Sequence, residues 1–141
     1  MSADRFARVR AAMATHGTDV LLLSVGPDLP WLTGYEAMPL ERLTMLVLPV
    51  DGDATLVVPR LEAPRVVEKP ELFTVLPWDE TDDPIAIVGD LAAAEEIKAL
   101  KARYFRCMDN KDWKGLEDVF TPDVTTDFRD STGQHNEAML M

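Results

Sequence analysis

Cysteine and histidine are scarce in this sequence of 141 residues, and basic residues are outnumbered by acidic ones. The single cysteine, Cys107, excludes an internal disulfide and a multi-cysteine metal site. The 25 Asp and Glu residues exceed the 14 Lys and Arg residues and give a formal net charge of −11. Such a charge repels nucleic-acid phosphates and anionic lipid. We therefore expect neither a nucleic-acid partner nor a membrane partner.

Long apolar runs and a secretory leader are also missing. No apolar segment approaches the ~20 residues that cross a bilayer. The first residues, Ser2 to Arg5, lack the basic-then-apolar layout of a signal peptide. Together with the lone cysteine, which fits a reducing compartment, this predicts a cytoplasmic protein. No Gly-rich phosphate loop, nucleophile elbow or His-Glu-x-x-His motif occurs, and we expect no cofactor.

Proline is distributed unevenly along the chain. Nine of the ten prolines lie in residues 1–90, and the formal charge is −8 in residues 1–90 and −3 in residues 91–141. This change in composition predicts two segments, one over residues 1–90 and one over residues 91–141.

The first segment alternates between helical and strand patterns. Helical spacing of apolar residues precedes a helix stop at His16 and Gly17, and Asp28 to Gly34 resembles a one-turn helix. The Asp-Gly pair at residues 51–52 predicts a tight hairpin turn. The predicted element order is α-β-α-β-β-α-β, which favours a layered α/β domain with a mixed sheet. Its strands are expected at residues 20–23, 43–50, 54–59 and 72–76.

The second segment begins after an acidic loop at residues 79–84, in which Asp83 can cap a helix that starts at Pro84. Apolar residues then follow a helical stripe from Ile97 to Met108, which should be buried, in this chain or against a second copy. Asp112 can cap a second helix, and residues 124–128 alternate as a strand does. The expected result is a helical hairpin followed by one strand.

Residues 5 to about 90 resemble the N-terminal domain of the creatinase/prolidase family, which includes Xaa-Pro aminopeptidases and proline dipeptidases. The resemblance lies in four stretches, Thr18–Ser24, Trp31–Tyr35, Glu41–Pro49 and Leu56–Glu62. It implies an α/β domain with a mixed sheet that makes dimer contacts and shapes the substrate entrance.

The resemblance also implies that the metallopeptidase chemistry belongs to a following domain, where Asp, His and Glu side chains hold two metal ions. This sequence has two histidines, His16 and His135, so we expect no Xaa-Pro hydrolysis by this chain alone. In some relatives a side chain after the Gly-Tyr motif reaches a neighbouring subunit's substrate, and Arg42 lies at about that place. The alternative for Arg42 is a surface ion pair with Glu41 or Glu36.

Residues 95–138 resemble the opening α-α-β of a SnoaL-like domain, the α+β cone fold of ketosteroid isomerase and of the nuclear transport factor 2-like proteins. The stretches that carry this resemblance are Ile97–Phe105, Asp109–Trp113 and Leu116–Phe128. It implies two weak catalytic candidates, Tyr104 and Asp127. Their side chains would transfer protons in a cavity that excludes water. The long strands of that fold are missing from the sequence, so Tyr104 is alternatively a core residue and Asp127 a solvent-exposed one.

Three functions of different classes follow from these resemblances. The first is a non-catalytic N-terminal peptidase module fused to a partial, truncated SnoaL-like domain, which we expect to form a homo-oligomer. The second is a small lyase, isomerase or polyketide-cyclase-like protein completed by oligomerisation. The third is a subunit that assists a separate Xaa-Pro metallopeptidase. The ligand, whether a small molecule or a peptide, is not identified by the sequence, and metal roles for His16 and His135 are not expected.

Overall fold

The computed structural model describes residues 2–39, 41–120 and 122. The secondary-structure elements, in chain order, are α1 (Ser2–His16), β1 (Val20–Ser24), α2 (Asp28–Thr33), β2 (Met45–Pro49), β3 (Ala54–Pro59), a 3-10 turn (Ala63–Arg65), β4 (Phe73–Trp78), α3 (Pro84–Asn110) and α4 (Trp113–Glu117).

The four strands form one mixed sheet in the order β1-β2-β3-β4. β1 pairs antiparallel with β2, β2 pairs antiparallel with β3, and β3 pairs parallel with β4. The turn between β2 and β3 contains Gly52 at φ 101°, a left-handed conformation that glycine adopts without a steric penalty. The mixed sheet is therefore confirmed, and the predicted element order holds except that a 3-10 turn replaces the α-helix expected between β3 and β4.

The first face of the sheet packs against α1 and α2. Phe6 and Met13 from α1, and Leu29 and Leu32 from α2, are buried against the strands on this face. Phe6 stacks on Phe73 with ring centroids 6.3 Å apart. The strands supply Leu46, Leu48, Ala54, Leu56, Val58 and Phe73 to this core.

The second face packs against the beginning of α3. Val47, Val57 and Trp78 point to this side and form a smaller core with Val88. Ile87 and Leu91, also on α3, pack against the same core. Because strand side chains alternate between faces, β2 and β3 are apolar at nearly every position, as strands covered on both sides require.

The short helix α2 ends in a tightly bonded turn at Thr33 and Gly34. The Thr33 hydroxyl donates to the Leu29 carbonyl at 2.7 Å, and the Lys69 ammonium donates to the Thr33 carbonyl at 2.7 Å. Gly34 has φ 82°, and a Cβ at this position would lie 3.0 Å from Lys69 Nζ. The positive φ favours glycine at residue 34, and a larger residue would also have to displace the end of the flexible Lys69 side chain. Asp28 is the first residue of α2, and the position before the helix is occupied by Pro27, which makes no side-chain cap bond.

Tyr35 follows this turn and is buried beside a carboxylate. Its hydroxyl donates to Glu62 Oε2 at 3.0 Å, and Arg65 Nη1 donates to the same oxygen at 2.5 Å. Burial, followed by the hydrogen bond and the negative charge of Glu62, raises the pKa of Tyr35 to about 12, against an ordinary 10.0, although the Arg65 charge acts in the opposite direction. The phenol is therefore held neutral and donates to Glu62.

Helix α3 begins as the sequence predicts. Asp83 Oδ1 accepts from the backbone amides of Ile85 and Ala86 at 3.0 and 3.1 Å, and Pro84 is the first helical residue. The helix continues to Asn110 without interruption. Asp112 then caps α4 by accepting from the Gly115 amide at 3.0 Å.

The chain divides into two compact units, one over Met1–Lys101 and one that begins at Ala102. The predicted boundary between residues 90 and 91 is not tested by this division and stays a prediction, as does the truncated cone fold. The predicted strand at residues 124–128 lies outside the described residues. In the part of the chain that the structure describes, no helix is long and apolar enough to cross a membrane.

Among the described residues, the apolar stripe of α3 is buried only in part. Ile97 is 66 % exposed, and Leu100 and Met108 are also exposed, whereas Cys107 is buried and Tyr104 is half-buried. Intramolecular burial of the stripe, one of the two outcomes expected from the sequence, therefore does not hold for Ile97, Leu100 and Met108.

We predict that Leu56→Ala lowers the free energy of unfolding by about 2–5 kcal/mol, because Leu56 is fully buried in the first core and its loss leaves a cavity. Leu61→Ala is the matched control, since Leu61 is 70 % exposed, and it should change stability by no more than about 0.5 kcal/mol. Urea unfolding followed by circular dichroism measures both. Equal effects of the two substitutions would contradict this assignment of the core.

We also predict that the contribution of Tyr35 to the free energy of unfolding decreases at high pH. Its folded-state pKa lies above its unfolded value, so its contribution is complete below pH 10 and is lost as the pH rises towards about 12. The stability difference between the wild type and Tyr35→Phe should therefore shrink over this interval. Urea titrations at several pH values from about 9 to 12 measure it, and a difference that stays constant with pH would refute the prediction.

Candidate functional site

An open groove of about 770 Å³ lies between three segments of the first unit. We call it the Arg42 groove. One wall is the chain just before β2, a second is the end of β4 with Glu80 of the loop after it, and the third is the first turn of α3. The lining residues are Pro39, Glu41, Arg42, Leu43, Trp78, Glu80, Pro84 and Ile85.

Arg42 forms an ion pair across this groove. Its Nε lies 2.8 Å from Glu80 Oε1, and the two side chains are 42 % and 64 % exposed. The expected surface ion pair of Arg42 is therefore present, but its partner is Glu80 rather than Glu41 or Glu36. Glu80 was not anticipated as a partner because it is 38 positions away in sequence, and only the folded sheet brings β2 and the end of β4 together.

Two interactions fix the walls of the groove. Trp78 is buried, and its indole Nε1 donates to the Leu43 carbonyl at 2.9 Å, which ties the end of β4 to the chain before β2. The Asp83 cap fixes the first turn of α3, where Pro84 and Ile85 line the groove. These contacts with the backbone therefore hold in position both the apolar residues of the groove and the charged residues at its rim.

The acidic loop after β4 is ordered by local bonds. Arg60 binds Asp79 through two bonds, of which Nη2 to Oδ2 measures 2.8 Å. The Arg60 bond holds the pKa of the Asp79 carboxyl below its ordinary value. Asp82 accepts from the Asp79 amide at 2.7 Å. The predicted solvated loop with a helix cap is confirmed, and among the described residues no group of three or more metal-binding side chains comes together.

The other sequence-predicted candidates do not line the Arg42 groove within the described residues of the first unit. Tyr104, in the second unit, is half-buried and packs edge-on against Phe105 and Phe120, with ring centroids 5.4 and 5.8 Å apart. Cys107 is a buried free thiol beside Gly115, where an added Cβ would lie 3.1 Å from its Sγ. His16 is the last residue of α1. Asp127 and His135 lie outside the described residues.

Comparison with known proteins identifies the family. The sequence profile described as the Creatinase/Prolidase N-terminal domain matches residues 5–129. A probable dipeptidase PepE of Mycobacterium tuberculosis is 40% identical over 90 residues, which cover 62% of this chain and 24% of that protein. The chain therefore spans about a quarter of the length of the curated relatives it matches.

Solved structures agree with this result. The crystal structure of dipeptidase PepE from Mycobacterium ulcerans superposes with a TM-score of 0.55 at 38% identity, covering 62% of this chain and 24% of that one. The N-terminal domain of an Xaa-Pro dipeptidase from Lactobacillus brevis has a TM-score of 0.56 at 21% identity, covers 83% of this chain and 88% of that one, and shows the fold alone.

The second resemblance, to a SnoaL-like domain, is not supported. The family match extends to residue 129 and so includes most of the segment assigned to that domain. The described part of this segment contains the long helix α3 and the short helix α4, which do not by themselves define a cone fold. From the family match, the mixed sheet and its helices, we conclude that the chain belongs to the creatinase/prolidase N-terminal domain family.

Proposed function

We propose that this domain is the non-catalytic N-terminal module of a prolidase- or PepE-type dipeptidase, in which it supports oligomerisation and shapes the substrate entrance. The observation that carries the proposal is the family match over residues 5–129 together with 40% identity to a probable dipeptidase. The resemblance to the family implies that metal binding and water activation belong to a following domain. The single cysteine supports a reducing compartment, the cytoplasm, as the location.

Arg42 is the residue of this domain that we propose to contact substrate. Its ion pair with Glu80 has Nε 2.8 Å from Glu80 Oε1. An arginine side chain can also present its two Nη groups to a carboxylate as a planar fork. The contact with Glu80 is half-exposed, so a ligand can compete with it at small energetic cost.

A related role is that of a subunit that offers Arg42 to a separate metallopeptidase chain. The same observation favours it, because a guanidinium at the rim of an open groove can reach a carboxylate held by a neighbouring chain. Both roles assign recognition to this domain and proton transfer to another.

Exposed apolar side chains support self-association. Trp31, Met38 and Leu22 in the first unit are 41 %, 48 % and 45 % exposed, and Trp113 in the second is 59 % exposed. Large apolar side chains gain about 25 cal/mol for each Å² removed from water, which favours contact with another chain. We propose a homo-oligomer on this basis.

We predict that the purified chain does not cleave Xaa-Pro dipeptides when Mn²⁺, Co²⁺ or Zn²⁺ is added. The physical reason is the proposed location of the metal ligands in a domain other than this one. A ninhydrin-type assay for released proline measures turnover, and a competent prolidase in the same buffers is the positive control. Metal-dependent turnover that co-purifies with the chain would contradict the non-catalytic role.

We predict that the chain self-associates, with a mass of about twice its 15.7 kDa in the simplest case. Sedimentation equilibrium at several concentrations measures it. The double variant Met38→Ser with Trp31→Ser tests the apolar side chains of the first unit and should shift the equilibrium towards the monomer, and Val67→Ser is the control. A monomeric wild type at all concentrations would argue against the oligomerisation role.

A further inference from the structure

We propose that the Arg42 groove docks a basic segment of a partner polypeptide, one that carries an apolar side chain next to its cation. This inference goes beyond the peptidase-module role and does not depend on it, because it concerns the walls and charge of the groove rather than a contact of Arg42 with substrate.

The apolar part of the groove has room for an anchoring side chain. Ile85, in the first turn of α3, is 74 % exposed, and it lines the groove together with Leu43 and the buried Trp78. An isoleucine this exposed gains from contact with an apolar ligand. Because the groove is open as well as large, it fits an extended chain segment better than it encloses a small molecule.

The charge at the rim of the groove determines which charge the partner segment should carry. Glu41 and Glu80 both line the groove, and Arg42 neutralises only Glu80, since no ion pair of Glu41 occurs within the described residues. The adjoining loop adds Asp82 and Asp83, while Asp79 is already paired with Arg60. The groove therefore keeps a net negative charge, which favours a lysine or arginine over an acidic side chain.

The groove is also organised before any partner binds. The Trp78 bond to the Leu43 carbonyl and the Asp83 cap of α3 hold the strand end and the helix start in place. Little ordering of the backbone is then needed on binding, which lowers the entropic cost.

The test uses two fluorescein-labelled peptides, Gly-Arg-Leu-Arg-Gly and the charge-reversed Gly-Glu-Leu-Glu-Gly, with fluorescence anisotropy on the full chain. We expect saturable binding of the basic peptide, weaker binding of the acidic one, and weaker binding of the basic peptide as salt is raised. Ile85→Ser should weaken binding about tenfold. Glu41→Gln and Glu80→Gln should each weaken it about threefold to fivefold.

Matched controls separate a specific site from general attraction to an acidic protein. Val67→Ser removes an apolar side chain that is also 74 % exposed, and Glu71→Gln removes an exposed charge away from the groove, so both should bind the basic peptide as the wild type does. All five variants are at exposed positions and should unfold at the wild-type temperature. The proposal is overturned if the basic peptide fails to saturate, or if Ile85→Ser and Val67→Ser bind it equally. It is also overturned if Ile85→Ser dissociates a dimer of the chain, because the occupant would then be a second copy.

Discussion

Burial of β2 and β3 on both faces is the constraint on which the rest of this domain depends. Leu46, Val47 and Leu48 are successive residues of β2, and each is at most 1 % exposed. Since successive strand residues point to opposite faces, such a strand is stable only if both faces are covered. Helices α1 and α2 cover one face, and the beginning of α3 covers the other. The position of α3 is therefore fixed by the sheet core rather than by its own helical propensity.

The Arg42 groove follows from that packing. Helix α3 must start near the end of β4, and the link between them is the acidic loop that carries Asp79 and Glu80. Two arginines from other parts of the sheet, Arg60 after β3 and Arg42 before β2, bind this loop. Each pair is exposed and individually weak, but together with the Asp83 cap they keep the loop against the strand ends. The residues that order the loop between β4 and α3 therefore also form the rim of the groove.

The local elements could be predicted from sequence, and the contacts between them could not. Gly17, Gly34 and Gly52 have positive φ where the sequence places turns, and Asp83 and Asp112 cap the helices expected after them. These features depend on neighbouring residues. The Arg42–Glu80 pair depends on strand order and on the parallel pairing of β3 with β4, which no local pattern encodes. The composition change near residue 90 predicts two segments, and the family match extends across that position.

The polar contacts of the first unit differ in their exposure to solvent. General acid–base catalysis needs a titratable group whose pKa is moved towards neutral pH, and burial is the usual means. Here the buried phenol of Tyr35 is moved the other way, to about 12, and it donates to Glu62 as a structural contact. Arg42 and Glu80, by contrast, remain half-exposed and screened by solvent. Because an exposed ion pair is weak, Arg42 and Glu80 can exchange partners at small energetic cost, as the proposed docking at the groove requires, whereas the buried contact of Tyr35 with Glu62 holds the fold.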